Sequence, residues 1–140
     1  MLRFILPIVP TAQARPKVAV RGKFAQAYKT KEQQANERTI EAWLKDHAPA
    51  APLSGPLTLI FNAGLPVPAS ASKKARAEML SGIQRPAKKP DLDNLAKQLK
   101  DAMTRMGFWH DDAQIVEMRG KKIYAESGYW EIAVFTAGRL

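Results

Sequence analysis

The residues able to do chemistry fall in two short acidic stretches at either end of one helix-length segment. In Pro90-Asp91-Leu92-Asp93-Asn94, read as extended chain entering a helix, Asp91 and Asp93 point the same way, because side chains alternate along a strand. Asp111 and Asp112 follow across a short turn from the far end of that helix. Grouped carboxylates repel and raise one another's pKa, and a divalent cation between them removes the conflict. Mg²⁺ and Mn²⁺ prefer such oxygens and keep waters for substrate phosphates. An ion held among Asp91, Asp93, Asp111 and Asp112 would activate water and stabilise a phosphodiester transition state. The two acidic stretches are therefore expected to meet in the folded chain, with Mg²⁺ as cofactor, Mn²⁺ able to substitute, and no organic cofactor.

Each of these residues also has a plainer role open to it. Lys97 lies four residues after Asp93 and four before Asp101, so all three share a helix face. Lys97 then either stands beside the scissile phosphate or forms an exposed ion pair, a contribution of ~0.3–0.5 kcal/mol. Asp101 reads as its partner. Asp93 alone could be a helix N-cap, contributing about 1 kcal/mol, but Asp91 is surplus to that job. Asn94 could cap or support the ligands. His110, an imidazole, is chemically able to act as a general base, yet a lone turn histidine is ordinarily structural, and His47 reads as a surface residue near a helix end. Glu117 alternates away from some core positions on its strand and could add a further ligand, the least favoured of these options. Phe108-Trp109 reads as core, and the methionines as core filling.

The elements that must position these groups can be read from periodicity. Residues 2–6 form a strand ended by Pro7 and Pro10. Residues 11–29 read as an irregular arm carrying Arg15, Lys17, Arg21, Lys23 and Lys29 with Phe24 and Tyr28, a mixture suited to nucleic-acid backbone and bases. Thr30 with Gln33 has capping-box spacing and predicts a helix to about Asp46 that buries Ile40, Trp43 and Leu44. A Pro- and Ala-rich connector, 48–56, precedes a strand at 57–61. Residues 64–90 form a long basic connection with Lys73, Lys74, Arg76, Arg85, Lys88 and Lys89, including a short helix near 72–80 capped by Gly82. The helix from Asn94 to Met106 has the apolar stripe Leu95, Leu99, Ala102, Met103 and Met106 and ends at Gly107. Strands at 113–124 and 129–135 are expected to pair as a hairpin. The order strand, helix, strand, helix, strand, strand predicts one α+β (mixed α/β) domain over residues 1–140, a small mixed sheet packed by helices.

Composition narrows the partners. The 140-residue chain carries a net charge of +9, a field that attracts polyanions. No apolar run approaches the ~20 residues of a membrane span, and no long basic amphipathic helix suggests a membrane surface. The apolar start, Leu2 to Val9, is short and broken by Pro7, so it reads as a strand rather than a leader peptide. Cysteine is absent, which fits a reducing cytoplasm and excludes disulfides and thiolate metal sites. A basic surround would bring a nucleic acid to an acidic centre that alone would repel it.

The run Lys89-Pro90-Asp91-Leu92-Asp93-Asn94-Leu95, then Lys97, Asp101-Ala102, Gly107-Phe108-Trp109 and Asp111-Asp112-Ala113-Gln114-Ile115-Val116, resembles the RusA family of Holliday junction resolvases of phages and prophages. The likeness is close over about residues 85–124 and looser beyond. It implies a homodimer that nicks four-way DNA junctions symmetrically with Mg²⁺ or Mn²⁺, in recombination and repair, in the cytoplasm of a bacterial or phage-infected cell. It implies Asp91, Asp93 and Asp112 as catalytic metal-binding carboxylates, Lys97 as catalytic lysine and Asp111 as the neighbouring acid. The connection before the motif is longer than in the shortest members, and the N-terminal arm lacks a clear version of their early loop. Two other readings stay open: a non-catalytic junction- or nucleic-acid-binding protein whose acids merely cap helices, and a basic RNA-binding protein.

Overall fold

The computed structural model describes residues 1–13, 17–22 and 24–137, with the side chains of 17, 21, 24 and 26 outside the description. The elements are β1 (Leu2–Leu6), β2 (Lys17–Arg21), β3 (Phe24–Tyr28), α1 (Lys31–Lys45), β4 (Leu57–Pro66), α2 (Lys73–Ser81), α3 (Leu92–Arg105), β5 (Ile115–Ala125) and β6 (Tyr129–Thr136), with a 3₁₀ turn at Asp112–Gln114 before β5. The result is the expected α+β architecture with a mixed sheet.

The main sheet has the order β1-β6-β4-β5, with β5 parallel to β4 and the other pairs antiparallel. The predicted hairpin between the last two strands does not form, although both strands exist. The reason lies in which strand can be buried on both sides. β6 carries Trp130, Ile132, Ala133 and Val134, all buried, and takes an inner place between β1 and β4. β5 alternates charges at Glu117, Arg119 and Lys121 and suits an edge, where such charges discourage pairing with another chain. β4 is longer than predicted and nearly continuously buried from Leu57 to Leu65, as a strand packed on both faces should be. Its parallel pairing with β5 requires a crossover, and α2 and α3 supply it.

The core joins the sheet to α1 and α3: Leu59, Phe61 and Ile132 from strands, Ile40 and Leu44 from α1, and Leu95, Leu99, Ala102 and Met103 from α3. Trp43, expected in that core, is exposed, whereas Gln33 is buried. Thr30 caps α1 as predicted, accepting from Gln33 N–H at 3.1 Å. The Gln33 side chain does not return to complete the capping box. It donates instead to Gln98 on α3 (3.0 Å) and to Glu37 (3.2 Å). Lys29 pairs with Glu37 at 2.8 Å, and Arg105 of α3 reaches Glu41 of α1. Burial pushes the Glu37 carboxyl up, but hydrogen bonds from Lys29 and Gln33 and the Arg105 and Lys29 charges outweigh it, so the group titrates below its ordinary value.

Residues 17–22 and 24–28, expected as part of an irregular arm, form the paired strands β2 and β3, with Gly22 after β2 at a φ of +61° that suits glycine. Val18 and Val20 of β2 are exposed. Arg15 and Lys23 lie outside the described residues.

Candidate active site

α3 is the frame of the site, and its ends are set by local chemistry. It begins at Leu92, two residues before the predicted start, so Asp91 takes the N-cap position and Asp93 lies in the first turn rather than in extended chain. At the other end, Gly107 N–H donates to Thr104 C=O (3.1 Å) and Phe108 N–H to Met103 C=O (3.1 Å). With Gly107 at φ +79°, this is a Schellman stop. Phe108 and Trp109 are then fully buried, as expected of core residues, and Trp109 Nε1 donates to Thr104 Oγ1 at 2.7 Å.

Asp91 occupies the cap position without capping: its side chain accepts no hydrogen bond from the helix. An aspartate there ordinarily accepts from the second or third helical N–H. Among the described residues, the carboxylates of Asp91, Asp93 and Asp112 form neither hydrogen bonds nor ion pairs. Lys97, exposed on α3, pairs with neither Asp93 nor Asp101. Asp111 differs, since its Oδ1 accepts from Ala113 N–H (2.9 Å) and caps the 3₁₀ turn. Glu117 lies 3.9 Å from Arg119 on exposed strand surface. His47 stacks on Phe4 at 4.6 Å, and His110 is exposed.

Within one chain the acids are not gathered. Among the described residues, no three His, Cys, Asp or Glu side chains stand close enough to hold a metal ion. α3 spans 14 residues, about 20 Å at the helical rise, with Asp91 at its start and Asp112 beyond its end. β5 then runs back alongside α3. Asp93 shares an open hollow of about 470 Å³ with Phe61, Leu92, Ala96, Met118 and Gly120. Asp112 precedes β5, and the strand from Ile115 to Met118 alone rises about 10 Å. The expectation that Asp112 joins Asp91 and Asp93 in a single folded chain is thus not met, because helix and strand hold them at different levels.

Two residues passed over in the sequence secure these acids. Lys122 of β5 donates from Nζ to the carbonyls of Lys88 (2.9 Å) and Pro90 (3.0 Å), tethering the segment that leads into Asp91. Gln114 crosses the turn that carries Asp112, and its spacing of three residues from Asp111 is the capping-box signal already used at Thr30. No local pattern marks Lys122.

The basic connection leads to the Asp91 end of α3. Arg85 lines a small cleft with Ile123 and Tyr124 of β5, Arg76 pairs with Glu126 at 3.3 Å, and Lys73, Lys74, Arg85, Lys88 and Lys89 are exposed. Lys17 and Arg21 lie in β2, their side chains outside the description.

A family model described as Endodeoxyribonuclease RusA matches residues 7–135. The chain belongs to the RusA family. Its similarity to named relatives is of two kinds. It is 27% identical over 135 residues, 95% of this chain and 94% of the other, to the protein YqaN of Bacillus subtilis (strain 168), described as uncharacterized. It is 46% identical over 46 residues to a crossover junction endodeoxyribonuclease of Lactococcus phage r1t, a match covering 33% of this chain and 35% of that one. It is 53% identical over 38 residues to crossover junction endodeoxyribonuclease RusA of Escherichia coli (strain K12), covering 27% and 32%. As a RusA protein the chain is a nuclease. No helix among the described residues is long and apolar enough to cross a membrane.

Proposed function

We propose that this RusA protein is a divalent-metal-dependent endodeoxyribonuclease that resolves Holliday junctions by paired, symmetric nicks, leaving 5′-phosphate and 3′-hydroxyl ends. It acts as a homodimer in recombination and repair, in the cytoplasm of a bacterial or phage-infected cell. The observation that carries this reading is Asp91, an N-cap aspartate that does not cap, standing with Asp93 and Asp112 as carboxylates unpaired among the described residues, in a chain of net charge +9. The same observation disfavours a merely binding protein whose acids serve as caps.

The donors suit Mg²⁺ or Mn²⁺. All are hard carboxylate oxygens, and Mg²⁺ characteristically takes one or two carboxylates beside waters and phosphate oxygens. Asp91 and Asp93 would hold such an ion from one copy, and Asp112 of a second copy would complete the set, because one chain keeps Asp112 at the other end of α3. When bound, the ion supplies water activation and charge stabilisation. Lys97, on the same helix face as Asp93 and without an ion pair among the described residues, offers its ammonium to the phosphate. Asp111, already spent as a cap, supports the turn. A two-fold dimer made this way presents two equivalent centres to a four-way junction, whose own symmetry is approximately two-fold.

The test is incubation of the protein with labelled four-way junction, linear duplex and structured RNA, with Mg²⁺ or with chelator. Paired nicks in the junction alone, only with metal, are expected. Binding without cutting under every metal condition would make the protein a junction binder, and preferential binding of the RNA would make it an RNA-binding protein.

A further inference from the structure

The turn 110–114 is tied to its surroundings chiefly by the side chain of Gln114. Gln114 Oε1 accepts from the backbone N–H of His110 (2.7 Å) and of Asp111 (3.0 Å). Its Nε2 donates to the carbonyls of Leu53 (3.0 Å) and Gly55 (3.0 Å) in the connector between α1 and β4. An amide has two acceptor lone pairs and two N–H donors, so all four are in use. The rest of the turn is equally committed. Leu53 N–H donates to Phe108 C=O (2.9 Å), Gln114 N–H to Asp111 C=O (3.0 Å), and Ala113 N–H to Asp111 Oδ1 (2.9 Å). Asp112 is the one acidic side chain of this turn left without a partner among the described residues, and it is half-buried.

We infer that Gln114 is the positioning residue for Asp112. Resting on the reading of Asp112 as a metal-binding carboxylate, the inference gives the glutamine of the Asp-Asp-Ala-Gln string a task distinct from catalysis. Its amide is spent entirely on backbone groups. It locks the backbone on both sides of Asp112 to a connector anchored at the start of the central strand β4, which pairs with β5 and β6. The conformational freedom that a free turn would lose each time Asp112 engages an ion is thereby removed on folding. Without the amide, His110 and Asp111 lose their shared acceptor and the carbonyls of Leu53 and Gly55 lose their donor, leaving the Leu53 N–H to Phe108 C=O bond as the remaining link ahead of the turn, so Asp112 samples positions that do not coordinate.

The experiment compares the full-length protein with Gln114→Ala, Gln114→Glu, Asp112→Asn and the Gln114→Ala/Asp112→Asn double variant. Gln114→Glu keeps the length and the acceptors for residues 110 and 111 but removes both donors. Four readouts are taken: melting temperature, junction binding without metal, junction cleavage against Mg²⁺ concentration, and Mn²⁺-induced broadening of the amide resonances of residues 111–113 without DNA. For both single Gln114 variants we expect junction binding at the parent level and cleavage at saturating Mg²⁺ lowered about ten- to a hundredfold. The Mg²⁺ midpoint should rise, and broadening should require about ten times more Mn²⁺. The double variant should be no worse than Asp112→Asn, since both changes remove the same function.

Parental cleavage by Asp112→Asn would sink the reading on which the inference rests. A dead Asp112→Asn beside Gln114 variants with parental cleavage rate, Mg²⁺ midpoint and Mn²⁺ broadening would overturn the inference and leave that reading standing. Failure of both Gln114 variants to fold would also overturn it, because the amide would then be a stability element of the whole domain.

Discussion

At the N-terminal end of α3, Asp91 and Asp93 are exposed, and the chain leading into them is tied to the sheet by one ammonium, that of Lys122. At the C-terminal end, Asp112 is half-buried in a turn crossed by four hydrogen bonds of the Gln114 amide, two accepted and two donated. The first end opens onto exposed cations and a broad hollow, and the second is stitched to the connector before the central strand. The contrast teaches that the two acidic stretches are not two halves of one rigid cradle. One is an open face beside exposed cations, and the other is a turn held in place by its own hydrogen bonds; on the proposed function the first would receive the phosphate and the second would offer Asp112 to a partner copy.

The largest effects should arise from removing a carboxylate at either end, and they should be equal. Asp91→Asn and Asp112→Asn are each expected to lower the single-turnover cleavage rate of a labelled junction by about 10³-fold or more while leaving gel-shift affinity intact, since each takes away charge stabilisation in the transition state. A marked inequality would mean that one end is dispensable. Next, Lys122→Met should lower cleavage about tenfold by releasing the carbonyls of Lys88 and Pro90 and loosening the entry to Asp91, measured at saturating junction. An unchanged rate would show that α3 alone fixes Asp91.

Replacing Lys73 and Lys74 with Ala probes whether DNA runs past the open end. Affinity should fall, and the slope of log affinity against log salt should flatten by about two, close to one per lost phosphate contact. An unaltered slope would route the DNA away from α2. The smallest effect concerns the α1–α3 link. Glu37 has a folded pKa below its ordinary 4.5, so its contribution is fully present above that value and lost as pH falls through the depressed one. Glu37→Gln should therefore lower the melting temperature near neutrality, with the gap to the parent closing as pH drops below about 4.5.

Much of α3 was legible in the sequence. Its stripe of Leu95, Leu99, Ala102 and Met103 is buried, and the Gly107 stop and the Phe108-Trp109 core pair reflect local rules that tertiary structure did not overrule. The β2–β3 pairing was hidden because Val18 and Val20 face solvent and carry no burial signal. The β5–β6 pairing was misread because adjacency in sequence suggests a hairpin, whereas partner choice depended on which strand tolerates burial on both faces. At the site, residue types and spacing pointed to the acids and to Lys97. Their separation by the length of α3 could not be seen from a motif, since spacing along a chain says nothing of how far a helix carries its ends apart. The Lys122 tether joins residues more than thirty positions apart, beyond the reach of any local pattern.

The most direct test of a centre shared between copies is to mix the inactive Asp91→Asn and Asp112→Asn proteins, allow subunits to exchange, and measure junction nicking with Mg²⁺. Heterodimers should regain one intact centre, with Asp91 and Asp93 from one subunit and Asp112 from the other. The mixture should then nick one strand per junction at about a quarter of the parental rate, since half the dimers are mixed and each has one of two sites. A mixture as inactive as its components, with heterodimers demonstrated, would contradict the account.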